Sequence, residues 1–326
     1  MKLFLLSLLL ITSLSADQDD WVFERINIYL ENDAEFDTDI DYSDGGKFSA
    51  ILYRPDSDDH WLRIPFTQDL TRSNFISFGV ARQMFTPDDL REPDLIVEDR
   101  PYAGWFYYEM GLHQSSDRHL DSLVVQVGVV GPASLAEAYQ KFVHDLLDVA
   151  DPAGWEHQLS NELGVQLNYQ HKWRFVPTEI WGVESTVIPY MGGELGNIAI
   201  KANGGMGLRV GWNIPEDFGG SFIDDVGENG IPVHPNAVAG SSKTWSLHAD
   251  FSAGGSYVAR DIFLDGNTFT ESHSVKKHPF RAYGRFGLSA RYKSVSIDYF
   301  KVYNTEHYEN QGYGLKYGTI CFSYLY

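Results

Sequence analysis

Cysteine is all but missing from this sequence. Cys321 is the only one, which excludes an internal disulfide and any zinc site built on several thiolates. Exported proteins of this size often use disulfides, so another source of stability is implied. Long apolar runs are missing as well: beyond the first residues, no stretch reaches the ~20 apolar residues that a membrane-crossing helix needs. Positive charge is also scarce, with 25 Lys and Arg against 45 Asp and Glu and a net charge of -20. That balance argues against nucleic acid as a partner, because such proteins carry basic patches. It suits solubility or divalent cations equally, and charge alone does not choose between them.

The chain opens with Lys2, an apolar run over residues 3–14, and the small residues Ser13, Ser15 and Ala16. A charged start, a short apolar core and a small-residue cleavage site describe a signal peptide. Residues 1–16 are therefore expected to be removed on export, leaving residues 17–326 as one domain. Internal repeats and low-complexity tracts are not evident.

The sequence is rich in aromatic residues (14%) and contains 30 glycines, yet its mean hydropathy is only -0.27. Alternating strands produce this average, since apolar and polar residues take turns. Ile26, Ile28 and Leu30 alternate with Asn27, Tyr29 and Glu31. Phe286, Leu288, Ala290 and Tyr292 alternate with Arg285, Ser289 and Arg291. Ile320, Phe322, Tyr324 and Tyr326 share the last face. The predicted strands run to roughly 10–15 residues, against the 5–6 usual in globular proteins. One face is apolar with aromatic ends, and the other carries Arg, Lys and Gly. This is the pattern of an all-β antiparallel transmembrane barrel of about 12 strands, with lipid outside and a polar interior. Residues 215–242, rich in Gly, Pro and Asp, read as an extracellular loop, and residues 157–173 as a strand.

One stretch breaks the pattern. Ser134 and Glu137 have the spacing of a capping box, and a helix is predicted from there to about Val149, ending before Asp151-Pro152. Gln140 and His144 lie four apart, on one face of that short inserted helix. A lone helical histidine is ordinarily a packing or surface residue. Its setting must decide.

Asn32 and Asp33 end the first strand, and Asp41-Tyr42-Ser43-Asp44-Gly45 opens the second. A hairpin would place Asn32, Asp33 and Ser43 at one rim, and alternation of the connections would bring the helix to the same rim. Carboxylate, amide and hydroxyl oxygens suit a hard cation such as Ca2+, although Asn-Asp and Asp-Ser-Gly also simply make turns. The run Asp37-x-Asp39-x-Asp41 is not an EF-hand, because Tyr42 and Phe48 stand where that loop needs Gly and Glu.

Six segments carry a resemblance: Glu31-Asn32-Asp33; residues 41–45; Asp99-Arg100-Pro101-Tyr102-Ala103-Gly104-Trp105; Gly128-Val129-Val130-Gly131-Pro132; Gln140-x3-His144; and Gly154-Trp155-Glu156-His157-Gln158-Leu159-x2-Glu162. In this order they resemble the outer-membrane lipid A 3'-O-deacylase family, across the first half of the chain. The resemblance implies a twelve-stranded barrel in the Gram-negative outer membrane with its site at the outer rim. It implies ester hydrolysis of a 3' acyl chain of lipid A, with lipopolysaccharide as substrate partner and Ca2+ as cofactor. It also implies His144 as general base, Gln140 orienting the water or His144, and Asn32, Asp33 and Ser43 at the metal. Arg91 and Arg100 would meet the lipid A phosphates, or else pack against acidic residues. Two positions depart from the family: Ser43 stands where Thr is frequent, and Ala150 stands where some members carry Glu, with Asp148 and Asp151 as neighbours. The rival readings are an outer-membrane phospholipase with a serine nucleophile and a non-enzymatic porin. The protein is expected to be a monomer.

Overall fold

The computed structural model describes residues 21–33, 41–54, 63–64, 66–67, 72–220, 222–223 and 227–326. The signal peptide expected at residues 1–16 lies outside these, as do Asp37 and Asp39.

Among the described residues, thirteen strands form one antiparallel sheet: β1 (Val22–Asn32), β2 (Asp41–Tyr53), β3 (Ser73–Thr86), β4 (Ala103–Ser115), β5 (His119–Val130), β6 (Glu162–Trp173), β7 (Thr178–Ile180), β8 (Val183–Gly196), β9 (Ala199–Trp212), β10 (Trp245–Asp261), β11 (Phe280–Tyr292), β12 (Val295–Asn304) and β13 (Lys316–Leu325). β1 pairs with β13 and β6 pairs with β8, so twelve strands close into a barrel. β7 is a three-residue ribbon laid along β8. Closure is what a bilayer demands of strands, since an unpaired backbone edge has no water to bond. No helix among the described residues is long and apolar enough to cross a membrane.

The alternation read from the sequence is the alternation of the wall. Ile28, Leu30, Leu208, Leu288, Ile297 and Phe322 face outward and are exposed, as the lipid-facing side of a barrel must be. Trp212, Trp245, Tyr292 and Tyr326 crown the rim that carries the chain ends, and Tyr257, Phe280 and Tyr303 the far rim.

The interior is filled, and residues 213–244 fill much of it. This connection leaves β9 at the terminal rim, so it is not the extracellular loop expected from its composition. Its Phe218, Ile231, Val233 and Ala237 pack with Ile51, Tyr53, Phe75 and Leu120 of the inner wall. Its Glu228 meets Lys47 at 2.9 Å, and Lys47 also meets Glu109 at 2.5 Å. Ser49 and Tyr29 donate to the same Glu228 carboxylate, at 2.7 and 2.9 Å. Its Asp217 pairs with Arg209 at 2.7 Å. Gly, Pro and Asp supply turns in either setting; carboxylates matching inward cations decide this one. Composition could not show that match, because the partners are far apart in sequence.

A second difference concerns residues 157–173. β6 begins only at Glu162, because Trp155–His157 winds into a 3-10 turn.

A plugged barrel is expected to be electrically silent in planar bilayers, and steady wild-type conductance would overturn this interior. Glu228→Ala leaves Lys47 with a single carboxylate and strands several donors. It should cost about 3 kcal/mol or more, read as a lowered midpoint of urea unfolding.

Candidate active site

The chain leaves β5 at the far rim, where β1 also ends. Gly131 adopts a φ of 94°, Pro132–Ser134 forms a 3-10 turn, and Leu135 is left-handed with a φ of 60°. Helix α1 (Ala136–Leu147) follows. The expected capping box does not form, because the left-handed Leu135 interrupts the register between Ser134 and Glu137. Ser134 Oγ instead accepts from the Ala136 amide at 3.4 Å, and Glu137 pairs with Lys141 at 2.8 Å.

Ala136, Gln140 and His144, spaced by four, form the buried stripe of α1. The stripe lies against the outside of the barrel. Gly104 and Met84 alternate with Trp105 and Gln83, whose side chains line the barrel's interior cavity, so both face outward. Met84, Tyr102, Ala136 and Trp155 form one buried cluster. Helix and wall approach so closely at Gly104 that a Cβ there would lie 2.1 Å from Ser134 Oγ and 2.4 Å from Ala136 Cβ. The other side of α1 is apolar and exposed, with Phe142, Leu146 and Leu147 each above 60%. It continues the lipid-facing surface of the wall.

His144 is 6% exposed. Asp148, left-handed at φ 55°, reverses the chain after the helix, and the Ala150 carbonyl comes to lie 2.7 Å from His144 Nδ1. A carbonyl only accepts, so Nδ1 carries the proton and Nε2 of the neutral ring is the basic nitrogen. Ala150, standing where a Glu was looked for, thus supplies the orienting acceptor from its backbone. Asp148 and Asp151 stay exposed. Gln140 is 2% exposed, and its Oε1 accepts from Trp155 Nε1 at 2.7 Å.

Asn32 pairs in register with Asp44, Asp44 with Met84 and Met84 with Gly104. This row runs from the end of β1 to the foot of the helix. Asn32 Nδ2 donates to the Ser43 carbonyl at 2.7 Å, which commits its amide nitrogen. Ser43 is wholly buried, at a bulge of β2, with Oγ 2.5 Å from Thr86 Oγ1. Asp33 is buried. Among the described residues no three His, Cys, Asp or Glu side chains converge as a metal cage. Asn32, Asp33 and Ser43 carry amide, carboxylate and hydroxyl oxygens, a hard-ligand set. Arg82 ties this hairpin to the helix: it bonds Asp44 and lies 3.1 Å over the Tyr139 ring.

Arg100 is buried and pairs with Asp41 at 3.2 Å over the Phe85 ring. It thus packs against an acidic residue, as one of its two readings expected. Arg91 is exposed on the adjoining loop, which meets the helix segment through Ala153 N and the Leu90 carbonyl at 2.8 Å. The same loop is latched to residues 305–315, with Tyr308 bonding Asp99 and Tyr313 bonding Asp88. Partial burial lifts Asp88 to about 6.

Trp155 and Arg82 were not singled out from the sequence. Trp155 follows a proline-terminated helix with no periodicity around it. Arg82 sits on a strand where an outward arginine at a rim looks like ordinary snorkelling.

Two outcomes are expected. Gly104→Val should lift the helix from the wall while the barrel persists, seen as new protease cleavage within residues 133–161 of a still heat-modifiable protein. Asp88 binds its proton more tightly folded than unfolded, so its contribution is present at low pH and lost as pH rises through about 6. The resistance of residues 305–315 to proteolysis should fall over that window, and Asp88→Asn should flatten the dependence.

No curated protein matches the sequence. Among solved structures, the chain is similar to LpxR from Salmonella typhimurium, at 16% identity and a TM-score of 0.73, with 93% of this chain and 100% of that one covered. The translocator domain of the autotransporter NalP from Neisseria meningitidis aligns at 10% identity and a TM-score of 0.40, over 100% of this chain and 95% of that one. The family profile described as outer membrane protein LpxR matches residues 3–326. A barrel with lipid-facing strands, a helix docked on its outer wall and a profile match over nearly its whole length place this chain in the LpxR family of outer-membrane proteins.

Proposed function

We propose that the protein is a lipid A 3'-O-deacylase that requires calcium and removes an ester-linked acyl chain from the 3' position of lipopolysaccharide in the outer leaflet. One observation carries this reading. His144, with Nε2 as its basic nitrogen, sits on the helix stripe packed against the outer, lipid-facing side of the barrel wall rather than in the barrel interior. A base facing the barrel interior would serve a soluble substrate; here the apolar exposed side of the helix faces acyl chains.

His144 Nε2 takes a proton from water as the water oxygen bonds to the ester carbonyl carbon and the carbonyl electron pair moves onto its oxygen. Collapse breaks the ester bond, and the leaving sugar or hydroxyacyl oxygen recovers the proton from His144. The products are an alcohol and a fatty acid. The Ala150 carbonyl holds the ring through both transfers and favours the imidazolium between them. Asn32, Asp33 and Ser43 are the residues that would hold calcium, through oxygens that suit it; the ion would polarise the carbonyl and stabilise its negative charge. Arg91, exposed beside the helix, is the cation free to reach a phosphate. Arg100 supports the loop instead.

A serine-nucleophile phospholipase has less to rest on, since the Ser43 hydroxyl is engaged with Thr86. A porin is disfavoured by the plug.

Purified protein incubated with lipid A and followed by mass spectrometry should lose one 3' acyl group with calcium and none with chelator. His144→Ala should slow release by at least about a hundredfold. Wild type that cleaves phospholipid and spares lipid A would overturn the substrate; turnover that survives His144→Ala would overturn the base.

A further inference from the structure

The buried amide of Gln140 has a definite orientation, and the residue that sets it is Trp155. An indole N–H can only donate. The Gln140 atom 2.7 Å from Trp155 Nε1 is therefore the amide oxygen, and the amide nitrogen is turned the other way. That nitrogen is buried and has no hydrogen-bond partner, although it carries two donor hydrogens. Leaving such donors unmatched inside a protein is unfavourable, so they favour an acceptor that enters beside them. Trp155 itself is 1% exposed and packs against Tyr102, with ring centres 4.8 Å apart and the planes tilted by 45°, so it does not readily yield.

The unmatched donors lie on the same buried stripe as His144, one helical turn away. Sharing that face with His144, they are the donors nearest along the helix to the place where a water activated by His144 Nε2 would attack an ester carbonyl carbon. We infer that Gln140 acts as a hydrogen-bond donor to the oxygens of the reaction, the attacking water or the carbonyl oxygen as it gains charge, and that Trp155 is the positioning residue that keeps its amide in the donating orientation. This rests on the hydrolase reading above and narrows it. Gln140 does not orient the water by accepting from it, because its acceptor is already engaged.

The role has a signature in pH that packing alone does not produce. In Gln140→Glu, one carboxyl oxygen still accepts from Trp155. The other can donate only while protonated, and burial raises the pKa of a carboxyl toward the neutral range. A reaction that needs neutral His144 rises with pH. One that also needs a protonated carboxyl falls again at higher pH, so the variant should show a bell-shaped kcat profile where wild type shows a plateau.

The experiment measures fatty-acid release from lipid A between pH 5 and 9 by full-length protein in micelles, with heat-modifiability on gels reporting the folded barrel. The expected result is a bell for Gln140→Glu, together with a kcat lowered about ten- to a hundredfold at little changed KM for Trp155→Phe. A plateau of wild-type shape in Gln140→Glu, or inactivity of the folded variant at every pH, overturns the donor role. If Gln140→Glu does not fold, Trp155→Phe decides, and wild-type kcat there overturns the inference. Wild type that releases no fatty acid instead sinks the hydrolase reading itself.

Discussion

Everything in this molecule follows from the pairing of the wall's edges. A sheet in hydrocarbon must leave no backbone N–H or C=O unpaired, so β1 must find β13 and β6 must find β8. Once closed, the wall has only two sides, and the period of two along each strand sends apolar residues to lipid and polar ones inward. The outer surface then becomes a place where a lipid-directed site can be built. The inner one is a problem to be filled.

The filling is electrostatic as much as apolar. Lys47 and Arg209 project from the wall into a space of low dielectric, and Glu228 and Asp217 of the 213–244 connection meet them. Such pairs are costly to bury and more costly to break. They hold the plug in one position. Helix α1 lies apart from this plug, at the far rim against the outer wall.

The cleft between α1 and the wall is organised by atoms with a single hydrogen-bonding option. The Ala150 carbonyl can only accept, which settles the tautomer of His144; the Trp155 indole can only donate, which settles the amide of Gln140. Neither partner acts through charge. Both remove a rotational or tautomeric alternative in the folded protein, which is the preorganisation that the proposed hydrolysis would use. The left-handed turn at Asp148 brings the Ala150 carbonyl to His144, whatever side chain stands at that position.

Strand alternation, strand length, the absence of a spanning helix and the break in period at residues 133–149 were enough to establish the barrel and helix α1, though not the four-residue helix Ile262–Asp265. Each is a local property set by backbone period and side-chain polarity. The pairing of Gln140 with His144 was legible for the same reason, since four residues make one helical turn. The extracellular reading of 215–242, the capping box at Ser134 and the strand start at 157 were not borne out, because each depended on a partner distant in sequence or on one left-handed residue. Which side of the wall the helix occupies, that Arg100 is held by Asp41, and that Trp155 and Ala150 orient the two polar side chains of the cleft were decided only by tertiary structure. Most of these are relations between residues on different strands and loops, and the bond from His144 to Ala150 depends on the one left-handed residue at Asp148, which spacing along the chain does not encode.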